Sequence, residues 1–221
     1  MNSFLHFSLV IALSAFALTA HAQPKAAVDW PAIKNELESI FTTDQAMRLE
    51  FNSMLATTRA KGADVDNAAS AQLWKRIGEQ DLINQKRVIG IIDAYGWPKK
   101  SDIGPQAANA VFLVIQHAAL DVQLEYVERM REAAMTGEAS KQNLALLEDR
   151  LLVRQGKPQR YGSQVETRNG VDLKLTEDET NLDARRASMD LGPICVYLER
   201  FTKAHGKITY PPCLQEISNA K

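Results

Sequence analysis

The chain has 221 residues, with 26 Lys and Arg against 27 Asp and Glu and a formal net charge of −1. That length suits one domain with a real core. The near-neutral balance, with no run of like charge, excludes the basic stripe that a nucleic-acid or polyanion binder needs.

The first predicted element is a leader. Phe7 to Thr19 are almost wholly apolar, and Ala20-His21-Ala22 fits a small-x-small cleavage pattern, although no Lys or Arg precedes the apolar run. The stretch is too short, and too close to that pattern, for a spanning helix. Residues 1–22 therefore read as a secretory signal and residues 23–221 as a single mainly helical domain. The expected location is the periplasm or beyond, with no membrane span after cleavage.

Helical periodicity begins at Asp29, a good N-cap, and runs to about Arg59 through Trp30, Ile33, Leu37, Ile40, Phe41, Met47, Phe51, Met54 and Leu55. A loop around Gly62 follows. A second helix opens near Ser70, carries Leu73, Trp74, Ile77, Ile83, Val88, Ile91 and Ile92, and stops at Gly96-Trp97-Pro98. A third is expected from Gly104 or Pro105 to Met135. Its middle, AVFLVIQHAAL, is apolar nearly all round and reads as buried.

Ser140 starts a fourth helix through Leu144, Leu147, Leu151 and Leu152, ended by Gly156-Lys157-Pro158. The period then changes, and Asn169-Gly170 between two strand-like runs predicts a small β-hairpin over about 159–175. Helical character returns around Leu182 to Met189, and ICVYLERFTKAHG makes a last helix. The expected architecture is mainly α, a core of four to six helices carrying one hairpin. Cys195 and Cys213 are the only cysteines; in an oxidising compartment a disulfide is the leading reading, against two unpaired thiols.

Several polar residues interrupt this pattern. Gln116-His117 breaks the most apolar stretch, and an unbroken helix puts Asp121 one turn after His117. Such an Asp fixes the imidazole tautomer and leaves the other nitrogen free as a general base; the alternative is a satisfied core histidine. Arg150 suits bidentate binding of a carboxylate or phosphate, or belongs to a solvated ion-paired face. Gln159, Tyr161, Gly162 and Gln164 offer amides for recognition if the segment is a strand, or else tie a strand edge to the helices. Arg186 and the Tyr197 hydroxyl read as members of a buried network. Asp44-Gln45, Arg48, Asp81 and Asn84 place polar groups on helices that otherwise pack, each ordinary alone.

No GxSxG, HExxH, Walker or GxGxxG motif is present, and only His117 and His205 remain after leader removal. No metal and no cofactor are expected. A mixed site would need His117 and Asp121 brought to carboxylates such as Asp44 or Asp81.

Taken together, Asp44-Gln45, Gly96-Trp97-Pro98, Gln116-His117, Asp149-Arg150 and Gln159-x-Tyr161-Gly162-x-Gln164 resemble the recurring blocks of an uncharacterised bacterial domain family of unknown function. Ser163 stands where that family tends to have Thr and keeps the hydroxyl. The resemblance implies a fold and a residue set in which Gln116, His117, Arg150, Tyr161 and Gln164 meet in one site, and it implies no activity. The expected function is a periplasmic binding or protein-interaction domain, with a protein partner or a small envelope ligand. One version is an antagonist (immunity) protein of an envelope-acting toxin or enzyme. The alternative is a hydrolase or transferase acting on an envelope amide or glycan, with His117 as general base oriented by Asp121.

Overall fold

The computed structural model describes residues 27–60 and 67–219, so the expected signal segment and its cleavage site lie outside the described residues. Five long helices form the frame: α1 (Trp30–Ala60), α2 (Asn67–Tyr95), α3 (Lys100–His117), α4 (Leu120–Met135) and α5 (Lys141–Arg154). Local chemistry starts and stops them where the pattern asks. The Asp29 carboxylate accepts from the Ala32 N–H at 3.0 Å, and the Ser140 hydroxyl accepts from the Asn143 N–H at 3.2 Å. At the end of α2 the Gly96 N–H still donates to the Ile92 carbonyl, and Trp97 and Pro98 then fold back into buried positions.

The main core gathers Ile33, Leu37 and Ile40 of α1, Val88, Ile91 and Ile92 of α2, and the interior face of α3 from Ile103 to Ile115. Tyr126, Val127 and Met130 of α4 and Leu144, Leu147 and Leu151 of α5 close it. α1 packs on both α2 and α3, and α4 packs on α5. No described helix is long and apolar enough to cross a membrane.

The third helix differs from its expected span at both ends. It opens one turn early at Lys100, with non-helical backbone at Gly104 where the joint to Pro105 lies. It also stops at His117 instead of running to Met135, because Ala118 and Ala119 are extended and α4 restarts at Leu120. Alanine is the best helix former, so propensity does not cause this break. Side chains take the carbonyls that the next helical turn would have used. Gln123 Nε2 and Arg150 Nη1 both donate to the Gln116 carbonyl, at 2.7 and 3.3 Å, and Arg154 Nη1 donates to the Ala118 carbonyl at 3.0 Å.

The remaining chain forms a smaller unit. β1 (Val165–Glu166) pairs antiparallel with β2 (Asp172–Leu173), in the register Val165 to Leu173 and Glu166 to Asp172. The hairpin is shorter than expected, since 159–164 is loop rather than strand. Gly170 at its tip has φ +112°, and a Cβ there would meet Thr209 Cγ2 at 2.6 Å and the Lys207 carbonyl at 2.8 Å. A 3-10 turn at Glu179–Asn181 leads into α6 (Leu182–Ser188), followed by α7 (Ile194–His205) and α8 (Pro211–Asn219). Val171, Leu182, Ile194, Leu198, Ile208, Tyr210 and Cys213 make a second, satellite core. Cys195 and Cys213 form the expected disulfide, Cα atoms 5.4 Å apart, and it ties α7 to α8. Sequence periodicity does not announce α8, whose nine residues open on two prolines.

Candidate functional site

Along α1 the buried positions run Ile33, Leu37, Ile40, Asp44, and along α2 they run Leu73, Ile77, Asn84, Val88, Ile91. This is one helical stripe on each element, and polar residues stand where the stripe calls for Leu or Ile. The two stripes meet at the C-terminal end of α3, and the polar residues of all three helices come together there.

His117 is the last residue of α3. Its Nδ1 lies 3.1 Å from Asp44 Oδ1, and the imidazole keeps 17% exposure. Among the described residues its Nε2 meets no hydrogen-bond partner. Arg48, one turn along α1, donates from Nη1 to Asp44 Oδ1 at 3.0 Å and from Nη2 to both Asp81 oxygens at 3.0 and 2.8 Å. Gln45 Nε2 donates to Asp44 Oδ2 at 2.7 Å. Burial by itself would raise the Asp44 carboxyl, but His117, Arg48 and Gln45 outweigh it and hold it below its ordinary value.

The expected pairing of His117 with Asp121 does not form. The break at Ala118-Ala119 carries Asp121 onto α4, where it is exposed. The orienting carboxylate is Asp44, 73 residues upstream.

Arg150 reaches the same end of α3 from α5 through its bond to the Gln116 carbonyl. It is half-buried, and no carboxylate pairs with it among the described residues. Burial, and then the nearby charges of Arg154 and Arg48, push its guanidinium below the ordinary value. Among the described residues three buried polar atoms lack a partner: Asn84 Nδ2, Gln116 Oε1 and Arg150 Nε. Each such atom costs on the order of 1–3 kcal/mol.

Asp44, Asp81 and His117 bring ligand atoms within 4.8 Å of one another, a spacing that suits a metal ion. Arg48 already bonds both carboxylates and supplies the positive charge a cation would bring. Geometry alone thus permits a metal, but the charge balance does not call for one.

The other expected site residues form a second group, and no hydrogen bond among the described residues links it to His117 or Arg150. Consecutive helical side chains point about 100° apart, so Asp149 and Arg150 serve different neighbours. Asp149, with no exposed surface, accepts from the N–H groups of Arg160 at 2.7 Å, Tyr161 at 3.0 Å and Ser163 at 2.8 Å. Burial pushes its carboxyl up from the ordinary value, against those three donors. Gln159 Nε2 donates to the carbonyls of Gln164 and Lys174 and to the Thr176 hydroxyl, while its Oε1 accepts from the Gln164 N–H. Gln164 Nε2 donates to the Ser163 hydroxyl.

Arg186 Nη1 donates to the Tyr161 carbonyl at 2.6 Å, and its guanidinium lies 4.9 Å from the Tyr197 ring centroid. The Tyr197 hydroxyl donates to the Ser163 carbonyl at 2.8 Å. Tyr161 and Arg186 therefore hold this segment to the helices, while Gln159 and Gln164 tie it to itself. Tyr161, pushed up to about 12 mainly by burial, stays protonated at neutral pH and is no ionised nucleophile.

The structure thus keeps the Gln116 carbonyl, His117 and Arg150 together and joins to them Asp44, Arg48 and Asp81, polar residues that are each ordinary alone in the sequence. Replacing Asp44 by Asn is expected to cost about 2 kcal/mol, since it removes the charge on a buried hydrogen-bonded carboxylate while Arg48 keeps Asp81. The folded value is depressed, so this stability is present above the unfolded value near 3.9 and is lost as pH falls through the folded one. Thermal melts of wild type and D44N should therefore differ at neutral pH and converge as pH falls below the folded value. A pH-independent difference would show that the charge contributes nothing.

No curated protein and no solved structure matches the chain significantly. A family model does match, over residues 31–209, and that span takes in both polar groups and most of the chain. The chain belongs to the family of unknown function DUF6624.

Proposed function

We propose that this chain is an exported binding domain of the bacterial envelope, whose ligand seats at the end of α3 around His117 and Arg150. The apolar leader and the Cys195–Cys213 disulfide support export to an oxidising compartment. The observation that carries the reading is the half-buried Arg150 guanidinium, which no carboxylate pairs among the described residues, at the end of α3 that also holds the partly exposed His117. Half-buried charges are normally paired, and a ligand that pairs Arg150 recovers what its burial costs.

The test is retention. Purified residues 23–221 are mixed with periplasmic extract, separated from unbound solutes, denatured and read by mass spectrometry. A small molecule retained by wild type and lost from His117→Ala and Gln116→Leu is the expected result. Equal retention by both folded variants would sink the reading, and a stoichiometric protein in place of a small molecule would turn it toward the antagonist version.

A second reading is favoured by the His117–Asp44 pair itself. With Nδ1 held by a buried carboxylate and Nε2 unbonded at a partly exposed edge, His117 is built to take a proton from water. A water-attacking hydrolase of envelope amides or glycans needs no protein nucleophile. Ser163, buried in the other polar group and bonded to Gln164, is not required. Turnover of such fragments by wild type, abolished in His117→Ala and reduced in Asp44→Asn, is the result that selects it.

A further inference from the structure

We propose that the bundle-end site takes an oxyanion, a carboxylate or phosphate group, held by the Arg150 guanidinium, which no carboxylate pairs among the described residues. The proposal rests on the reading of this cluster as a binding site and names its ligand class.

Among the described residues Arg150 differs from the other guanidiniums of low exposure. Arg48 is bound by two carboxylates, Arg131 by Glu128 and Glu148, Arg185 by the Asp178 carboxylate and the carbonyls of Arg160, Glu177 and Asp178, and Arg186 by two carbonyls and an aromatic face. Arg150 has one bond of 3.3 Å to a carbonyl, a buried Nε with no partner, and Arg48 and Arg154 as its charged neighbours. Capping the end of α3 does not account for it, because Nη1 alone does that and Arg154 caps the next free carbonyl. Asp44 and Asp81 are engaged by Arg48 and His117. One positive charge is left over in a half-buried place, and a single anionic group neutralises it.

The geometry points to the kind of anion. The Nε and Nη2 edge of a guanidinium presents two parallel N–H groups that match a carboxylate or phosphate bidentately. Because Arg150 is tied to the carbonyl of Gln116, its guanidinium and the unbonded His117 Nε2 lie at the same end of α3, and a bidentate contact requires the side chains over the buried Nε to move aside. N-acylated amino acids, hydroxy acids and sugar phosphates carry such a group.

Isothermal titration of residues 23–221 with N-acetylglycine, lactate, inorganic phosphate and neutral acetamide tests this at constant ionic strength. Saturable binding of a carboxylate or of phosphate is expected, with acetamide inert. Which anion binds more tightly separates a peptide or hydroxy-acid source from a phosphorylated one. Arg150→Met should weaken binding about tenfold to a hundredfold. If that variant fails to fold, Arg150→Lys, which keeps the charge without the fork, should weaken it about tenfold.

Unchanged anion affinity in folded Arg150→Lys and Arg150→Met would overturn the proposal, as would wild type binding neither anion. Binding of Mn²⁺ or Zn²⁺ that is lost in Asp44→Asn, with no anion bound, would assign the cluster to a cation instead. A neutral or cationic molecule retained from periplasm in a His117-dependent way would overturn the ligand class and leave the binding site standing. No retained molecule together with no anion binding would remove both.

Discussion

Asp149→Ala is expected to lower stability by about 4 kcal/mol, the largest effect of any single substitution considered for this chain. The carboxylate has no exposed surface and accepts the N–H groups of Arg160, Tyr161 and Ser163. Alanine leaves these donors turned toward a void with no acceptor, at on the order of 1–3 kcal/mol each for those fully buried. At roughly 2–4 °C per kcal/mol for a domain of this size, the melting midpoint should fall by roughly 8–16 °C. Asp149→Asn should be nearly as damaging, since one amide edge then faces N–H groups as a donor. Differential scanning calorimetry of both variants checks this. A fall of under 2 °C would mean that the loop finds other acceptors and that the carboxylate does not organise it.

Arg186→Met should cost about 3 kcal/mol by unmaking the same region from the other side. Arg186 is 1% exposed and gives Nε to the Gly192 carbonyl at 2.7 Å and Nη1 to the Tyr161 carbonyl at 2.6 Å. Methionine is comparably long and apolar, so the guanidinium's own desolvation cost disappears and offsets part of the loss. The two carbonyls nevertheless lose charge-assisted donors, and the Tyr197 ring loses its cation. Arg186→Lys should do little better, because an ammonium has no planar fork to span two carbonyls.

Both Asp149 and Arg186 hold the 159–164 loop, so the double variant should cost less than the sum of the singles. Neither should change ligand affinity at the end of α3 as long as the protein is folded. Weakened ligand binding in folded Arg186→Met at unchanged α-helix content would join the two polar groups that the structure keeps apart.

Much of this was legible from local chemistry. The Asp29 and Ser140 caps, the Gly-Trp-Pro stop, the Asn169-Gly170 tip and the Cys195–Cys213 link are each written within a few residues or one shared compartment. Gln116 and His117 were identifiable because they interrupt the most apolar stretch, and Arg150 because the Asp149-Arg150 pair is one of the blocks that carry the family resemblance. Local periodicity misled at Ala118-Ala119, where two strong helix formers are extended because Gln123, Arg150 and Arg154 compete for the carbonyls. It misled again at Tyr161–Gln164, a strand-like run that instead coils around a carboxylate on α5.

The sequence by itself determined the helices, the hairpin tip and the polar residues worth suspecting, because periodicity, caps and turn residues act over a few positions. Tertiary structure alone decided which of them meet. His117 finds Asp44 across 73 residues, and Asp149 and Arg150, neighbours in the chain, are sent to separate groups. Hydrogen bonds and charge pairs depend on distances in space, and the stripe that sets those distances is built from helices far apart along the chain.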